Sequence, residues 1–333
     1  MKIAFTLCSN NYLAQAKTLG DSFINHNQDF QFIIGLVDRR SSQIDYDFFE
    51  PHKILEVESI SIDDISELID KYNIVEFNTA VKPFYFDYLF CVYDDASSIT
   101  YIDPDIKVFG SLQDLDTIYE QADFVLTPHL LTLVKDSIPE KEQLVLNVGS
   151  YNLGFLGLKR SDQVIQFIEY FKHRMREKCY IDFCNGLFVD QIWANQIPSY
   201  FEKVYIWKDY GCNVGYWNFS ERKVSQKEGK YFINHEYPLI FFHLSNYNPN
   251  EPNILCKFLS YSFEKRPDLR ELYEDYRKDL LHNRFESLSG VKPSLPFKEN
   301  HPHLNRKEIS AWSKNGLRLR NLSNKLIFKI FGV

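Results

Sequence analysis

The sequence has no Cys-x-x-Cys pair, and its six cysteines, Cys8, Cys91, Cys179, Cys184, Cys212 and Cys256, are scattered. No charged, apolar and small-residue leader precedes the first strand-like run, so a reducing cytoplasm is the expected compartment. No uncharged apolar run reaches the roughly 18 to 20 residues that a spanning helix needs, which argues against an integral membrane protein. Positive charge is in deficit: 38 Lys and Arg stand against 45 Asp and Glu, a net charge of -7. That balance excludes a whole-molecule footprint for a phosphate backbone, and nucleic acid is not an expected partner. Internal repeats and low-complexity segments are also missing. What is present is apolar and aromatic. With 333 residues, 44% of them apolar, 28 Phe and 21 Tyr, the chain can bury a large core in one large or two modest domains. The rings read first as core, although exposed ones would suit stacking on sugars or bases.

Periodicity gives an alternating order. "KIAFTLCS" is strand-like, "NNYLAQAKTLGDSFINH" sets Leu13, Ala16, Leu19 and Phe23 at helical spacing, and "FQFIIGLVD" is the continuous apolar run of a doubly covered strand. A third strand is expected in "HKILEVESI", helices in "IDDISELIDKYN" and "NTAVKPFYFDYLFCVY", and strands in "QADFVLTPH" and "YNLGFLGLK". "SDQVIQFIEYFKHRMREKC" is an amphipathic helix with Val164, Phe167, Ile168 and Phe171 on one side. The pattern predicts an α/β sandwich with a mostly parallel central sheet flanked by helices. Composition shifts near residue 250. The expected division is therefore a domain over 1–250 and a helical extension over 251–333, in which "RPDLRELYEDYRKDLLHNRFE" reads as a charged, solvent-facing helix. From Arg306 to Val333, seven Lys and Arg face only Glu308, interleaved with Trp312, Leu326, Phe328 and Phe331. Such a tail suits an anionic membrane surface, the protein's own acidic body or a partner subunit.

"SSITYIDPDIKVFG" carries the chemistry. A run suited to a buried strand ends on Asp103 and Asp105, with Pro104 between them. Residues i and i+2 of extended backbone point to one side, so the carboxylates converge, and a hard divalent cation would relieve their repulsion. "DPD" also occurs as a plain solvated turn, but a flanking apolar strand is poor context for one.

A strand ending in Asp-x-Asp about a hundred residues into such a domain resembles the GT-A fold nucleotide-sugar glycosyltransferases. More narrowly, it resembles the branch of glycogenin and the lipopolysaccharide galactosyl- and glucosyltransferases. The likeness spans residues 1–250 and is carried by order. Lys82 in "FNTAVKPFYFDYLF", Asn152 and Gly154 in "SYNLGFLGLK", Asp190 and Gln191 in "LFVDQIWAN" and His243 in "PLIFFHLSNY" follow in the family's sequence. The resemblance implies a GT-A type Rossmann-like sandwich and a Mn²⁺ or Mg²⁺ ion held by Asp103, Asp105 and His243. It also implies a nucleoside diphosphate sugar donor, by family habit a UDP-sugar, and a saccharide acceptor. Thr6, Cys8, Asn10 and Asp38 would border the nucleoside, Asp103 would reach the ribose, Gly154 would join them in binding the donor, and Lys82, Asn152, Asp190 and Gln191 would line the donor sugar as the catalytic set, Asp190 and Gln191 nearest the reacting face. Each residue has a plainer role too: Lys82 a solvent-facing helix start, Asn152 and Gly154 a turn, Asp190 an N-cap, His243 a core histidine. The family's glycine and lysine after the histidine are missing from "HLSNYNPNEPN", which leaves Ser245, Asn246, Lys208 and Lys257 as alternatives for the diphosphate. A haloacid-dehalogenase-like phosphatase would carry its motif on the first strand, and a sugar-phosphate nucleotidyltransferase would open with a Gly-rich basic loop. A non-catalytic sugar-binding or scaffold subunit is the remaining alternative.

Overall fold

The computed structural model describes residues 1–133, 145–256 and 261–297. Lys257 and the basic tail over 306–333 lie outside them. A seven-stranded sheet forms the centre, in the order β10 (Val204–Ile206), β6 (Phe124–Pro128), β7 (Tyr151–Lys159), β4 (Ser98–Ile102), β1 (Lys2–Cys8), β2 (Phe30–Leu36), β3 (Lys53–Glu56). Neighbours pair in parallel except at β7, which runs against both β4 and β6. This is the mixed, mostly parallel α/β sheet that the alternating pattern predicts.

Each face of the sheet is covered because its strands are apolar on both sides. On one face lies α1 (Leu13–His26), whose Leu13, Ala16, Leu19 and Phe23 are fully buried. On the other, Ser161 caps Asp162–Lys178, and Val164, Phe167, Ile168, Phe171 and Met175 are buried in a second core. The single helix expected in "NTAVKPFYFDYLFCVY" is two, Ile74–Ala80 and Lys82–Val92. Pro83 has no N–H and suits only a first turn, so the chain restarts there, and Asn73 with Glu76 forms a capping box on the earlier helix.

The helix expected to face solvent is Arg270–His282, and it corrects that expectation. Its Leu272, Tyr273, Tyr276 and Leu280 are buried in the same core as α1, and its charges occupy the opposite side. Among the described residues, no helix is long and apolar enough to cross a membrane.

Candidate metal and donor site

The β4–β7 ladder runs one residue past the end of β4, where the Asp103 N–H donates to Gly154 O at 2.8 Å. Pro104 turns the chain, and the Ile106 N–H closes back on Asp103 O at 3.1 Å. The strand β5 (Ile106–Val108) then pairs antiparallel with β14 (Phe241–His243), setting Ile106 opposite His243, and Leu244 N–H bonds Asp105 O at 2.9 Å. Main-chain ladders therefore hold His243 against the turn. One ligand atom from each of Asp103, Asp105 and His243 falls within 4.8 Å of the others. His243 Nε2 is 3.0 Å from Asp105 Oδ1 and 3.7 Å from Asp103 Oδ2.

Burial lifts the Asp103 carboxyl above its ordinary range, against the pull of Lys82 and His243. Burial also disfavours a charged His243 ring, but Asp105 and Asp103 outweigh it and hold its pKa above the usual value. Two carboxylates and one imidazole nitrogen make an O, O, N donor set that suits Mn²⁺ or Mg²⁺ chemistry, with the nitrogen favouring Mn²⁺. Gly154 makes room for it: a Cβ there would lie 2.6 Å from His243 Cε1 and 2.7 Å from Asn152 Oδ1.

A cavity of about 270 Å³ opens beside this cluster, lined by Cys8, Ser9, Asn11, Tyr12, Asn78, Tyr101, Asp103 and Asp105 among others. Of the four residues expected to border a nucleoside, Cys8 alone lines it. Thr6 is buried within the sheet. Asn10 donates to Asp38 Oδ2 and Arg39 O, both at 2.8 Å, and accepts from Tyr46 Oη. Asp38 Oδ1 accepts from the N–H groups of Arg39, Ser294 and Leu295. The reason is local. The 3-10 turn Asn10–Tyr12 breaks the strand's alternation, turning Asn10 inward and presenting Asn11 and Tyr12 to the cavity. Tyr12 keeps 40% exposure, and an aromatic four residues past the strand end at Cys8 is the signal that marks it in the sequence.

Lys82 is not a solvent-facing helix start. It is 2% exposed, forms an ion pair with Asp190, donates to Leu153 O and sits 3.9 Å from the centre of the Tyr101 ring, whose hydroxyl bonds Asp103 Oδ1. Asp190 precedes the short helix Gln191–Ala194 but makes no side-chain cap bond; burial raises its carboxyl pKa and Lys82 opposes the rise. Before it stands Val189 at φ +39°, a conformation costly for a β-branched residue. Gln191 accepts from Leu153 N–H and donates to Val148 O. Asn152 belongs to a buried polar group with His129, Asn213 and Thr127, none of which the sequence singled out. Of the diphosphate alternatives, Lys208 and Asn246 are exposed and Ser245 is half-buried.

A larger cavity, about 910 Å³, lies along the Thr18–His26 stretch of α1 and shares no lining residue with the first.

No family model matches the chain. Two Bacillus subtilis (strain 168) proteins align with it. The uncharacterized protein YfnF is 24% identical over 278 residues, 81% of this chain and 89% of YfnF. The uncharacterized protein YfnD is 23% identical over 282 residues, 81% of this chain and 86% of YfnD. Among solved structures, the galactosyltransferase LgtC in complex with donor and acceptor sugar analogues superposes with a TM-score of 0.49 at 14% identity, covering 88% of this chain and 98% of LgtC. The glycosyltransferase GlyE of Streptococcus pneumoniae TIGR4 gives 0.47 at 14% identity over 87% of this chain and 65% of GlyE.

Proposed function

We propose that this chain is a metal-dependent GT-A type glycosyltransferase. It moves a hexose from a nucleoside diphosphate sugar, a UDP-sugar by the resemblance, to a saccharide or lipid-linked saccharide acceptor in bacterial surface polysaccharide synthesis. One observation carries this: Asp103 and Asp105 line a cavity that Tyr12 also lines, and the buried His243 converges on them from behind, next to the buried Lys82–Asp190 pair. Asp103, Asp105 and His243 would hold Mn²⁺ or Mg²⁺, which when bound supplies Lewis-acid stabilisation of the departing diphosphate. The half-exposed Tyr12 ring offers a stacking face for the base, Asn11 offers an amide to its edge or to the ribose, and Asn78, whose NH₂ is held by Ser9 Oγ and Ile74 O, offers only its Oδ1 as an acceptor. Lys82, pinned by Asp190, Leu153 O and the Tyr101 ring, presents a fixed positive charge to a sugar or phosphate oxygen. Asp190 is committed to Lys82 rather than held free as a base, which favours a retaining over an inverting transfer.

The test is metal-dependent hydrolysis across a panel of nucleotide sugars. The expected result is release of a nucleoside diphosphate in Mn²⁺, abolished by chelator and by Asp103→Asn. Undiminished turnover in excess chelator would remove the metal assignment. Nucleotide binding without turnover of any donor would return the chain to the non-catalytic binding class.

A further inference from the structure

We propose that Asn213 is the positioning residue that fixes the tautomer of His243 and so aims its Nε2 lone pair at the cation; this rests on the metal-site reading above. Asn213 is fully buried and sits at φ +51°, a left-handed conformation that asparagine tolerates better than most residues. Asn218 donates to its carbonyl at 3.0 Å, and the neighbouring Val214 exchanges main-chain bonds with Phe241 and His243. The main chain that carries Asn213 is therefore held against the strand that carries His243.

The direction of the amides follows from one group that cannot be turned round. The main-chain N–H of Gly154 can only donate, and it lies 3.0 Å from the side chain of Asn152, so the Asn152 atom facing it is the carbonyl oxygen Oδ1. Asn213 also approaches that oxygen, at 3.1 Å, and must do so with its NH₂ group. The same NH₂ reaches Thr127 Oγ1 at 2.8 Å, while the Thr127 hydroxyl is directed at Asn152 O at 3.4 Å. Asn213 Oδ1 is left facing His243 Nδ1 at 3.3 Å, and an acceptor there requires Nδ1 to carry the hydrogen. Nε2, which faces Asp105 and Asp103, is then the nitrogen free to ligate. A backbone hydrogen on β7 is thus relayed through two asparagines to set a ligand that lies on β14.

The experiment is a double-mutant cycle on Mn²⁺ affinity, read by electron paramagnetic resonance with UDP present, on the full chain. Asn213→Leu in a wild-type background should weaken Mn²⁺ binding about 10- to 100-fold and reduce the nitrogen coupling seen by electron spin-echo modulation. In a His243→Ala background the same substitution should change affinity less than about 2-fold, because a residue that acts through His243 has nothing left to orient. Thr127→Val, which loosens Asn213 without touching His243, should move affinity in the same direction by a smaller factor. If Asn213→Leu leaves affinity and nitrogen coupling unchanged, or adds its full loss on top of His243→Ala, the inference is overturned and the metal site stands. If the wild type binds no Mn²⁺, the metal reading falls first, and with it this one.

Discussion

The two cavities teach opposite lessons although one short stretch of chain reaches both. Asp103, Pro104 and Asp105 line the smaller one, while Lys107 and Val108 of β5 line the larger, where Lys107 pairs with Asp279. The larger cavity has more than three times the volume, yet Lys107, Asp279 and Asp275 are ionic groups of its half-exposed rim that pair with one another or with a nearby partner, Lys107 with Asp279 and Asp275 with Tyr231 and Lys278. At the smaller cavity burial raises the Asp103 carboxyl, and behind it Asp105 and Asp103 raise the buried His243 against its desolvation, with the dry Lys82–Asp190 pair close by. Desolvated, convergent charge is what a reaction uses, and volume alone is not.

The sharpest way to break that contrast is to neutralise one carboxylate at each cavity. Asp103→Asn or Asp105→Asn should lower donor turnover by ~10²-fold or more with the fold intact, because the cation loses an anionic ligand. Far-UV circular dichroism and a donor-hydrolysis assay would check this, and full activity in either variant would sink the assignment.

The buried pair comes next. Lys82→Met leaves Asp190 charged and unpaired, at a cost of roughly 3–5 kcal/mol in urea unfolding. Adding Asp190→Leu should recover most of that stability but none of the turnover. Recovery of both would mean that the pair is merely structural.

His129 lies behind the same site, bonded through Nε2 to Asn152 and edge-on to Trp217, and burial pushes its pKa down to about 4. The folded value is below the unfolded one, so its stabilising share is complete above about pH 6.5 and is lost as pH falls toward 4, at most roughly 3 kcal/mol. His129→Gln should flatten the acid limb of the stability profile measured by urea titration.

At the cation site the signs run the other way. Asp103 and His243 both have folded pKa values above their unfolded ones. In chelator the folded state keeps each of these protons at pH values where the unfolded state has already lost it, so this end of the molecule weakens as pH rises from the group's unfolded pKa to its folded one. A cation requires the deprotonated ligands, so the rise in Tm from saturating Mn²⁺ should be larger at pH 8 than at pH 5.5, roughly 2–4 °C for each kcal/mol. An equal rise at both pH values would show that the ion binds elsewhere.

The smallest effect belongs to the larger cavity. Asp275→Asn should change stability by less than ~1 kcal/mol and leave donor turnover within about 2-fold, as exposed ion pairs generally do. A large loss of turnover there would erase the distinction between the cavities.

Local period was legible along the chain: burial of Leu13, Ala16, Leu19 and Phe23 follows from a 3.6-residue repeat. Asp103 and Asp105 do converge, but across a turn at Pro104 that the Ile106 N–H closes on Asp103 O, and not along the extended backbone that the i, i+2 spacing implied. The inward turn of Asn10, the break at Pro83 and the buried face of Arg270–His282 were less legible. A 3-10 turn cancels the strand's alternation, and the charges of the Arg270–His282 helix outnumber its apolar stripe and mask it. The partners came from the fold. Lys82 meets Asp190 across 108 residues, and His243 meets Asn213 across 30. His243 reaches the Asp103 turn because β14 lies beside β5. Strand order and register set those meetings, and neither is encoded in the spacing of residues along one element, because a pairing between distant strands depends on how the whole core closes over them.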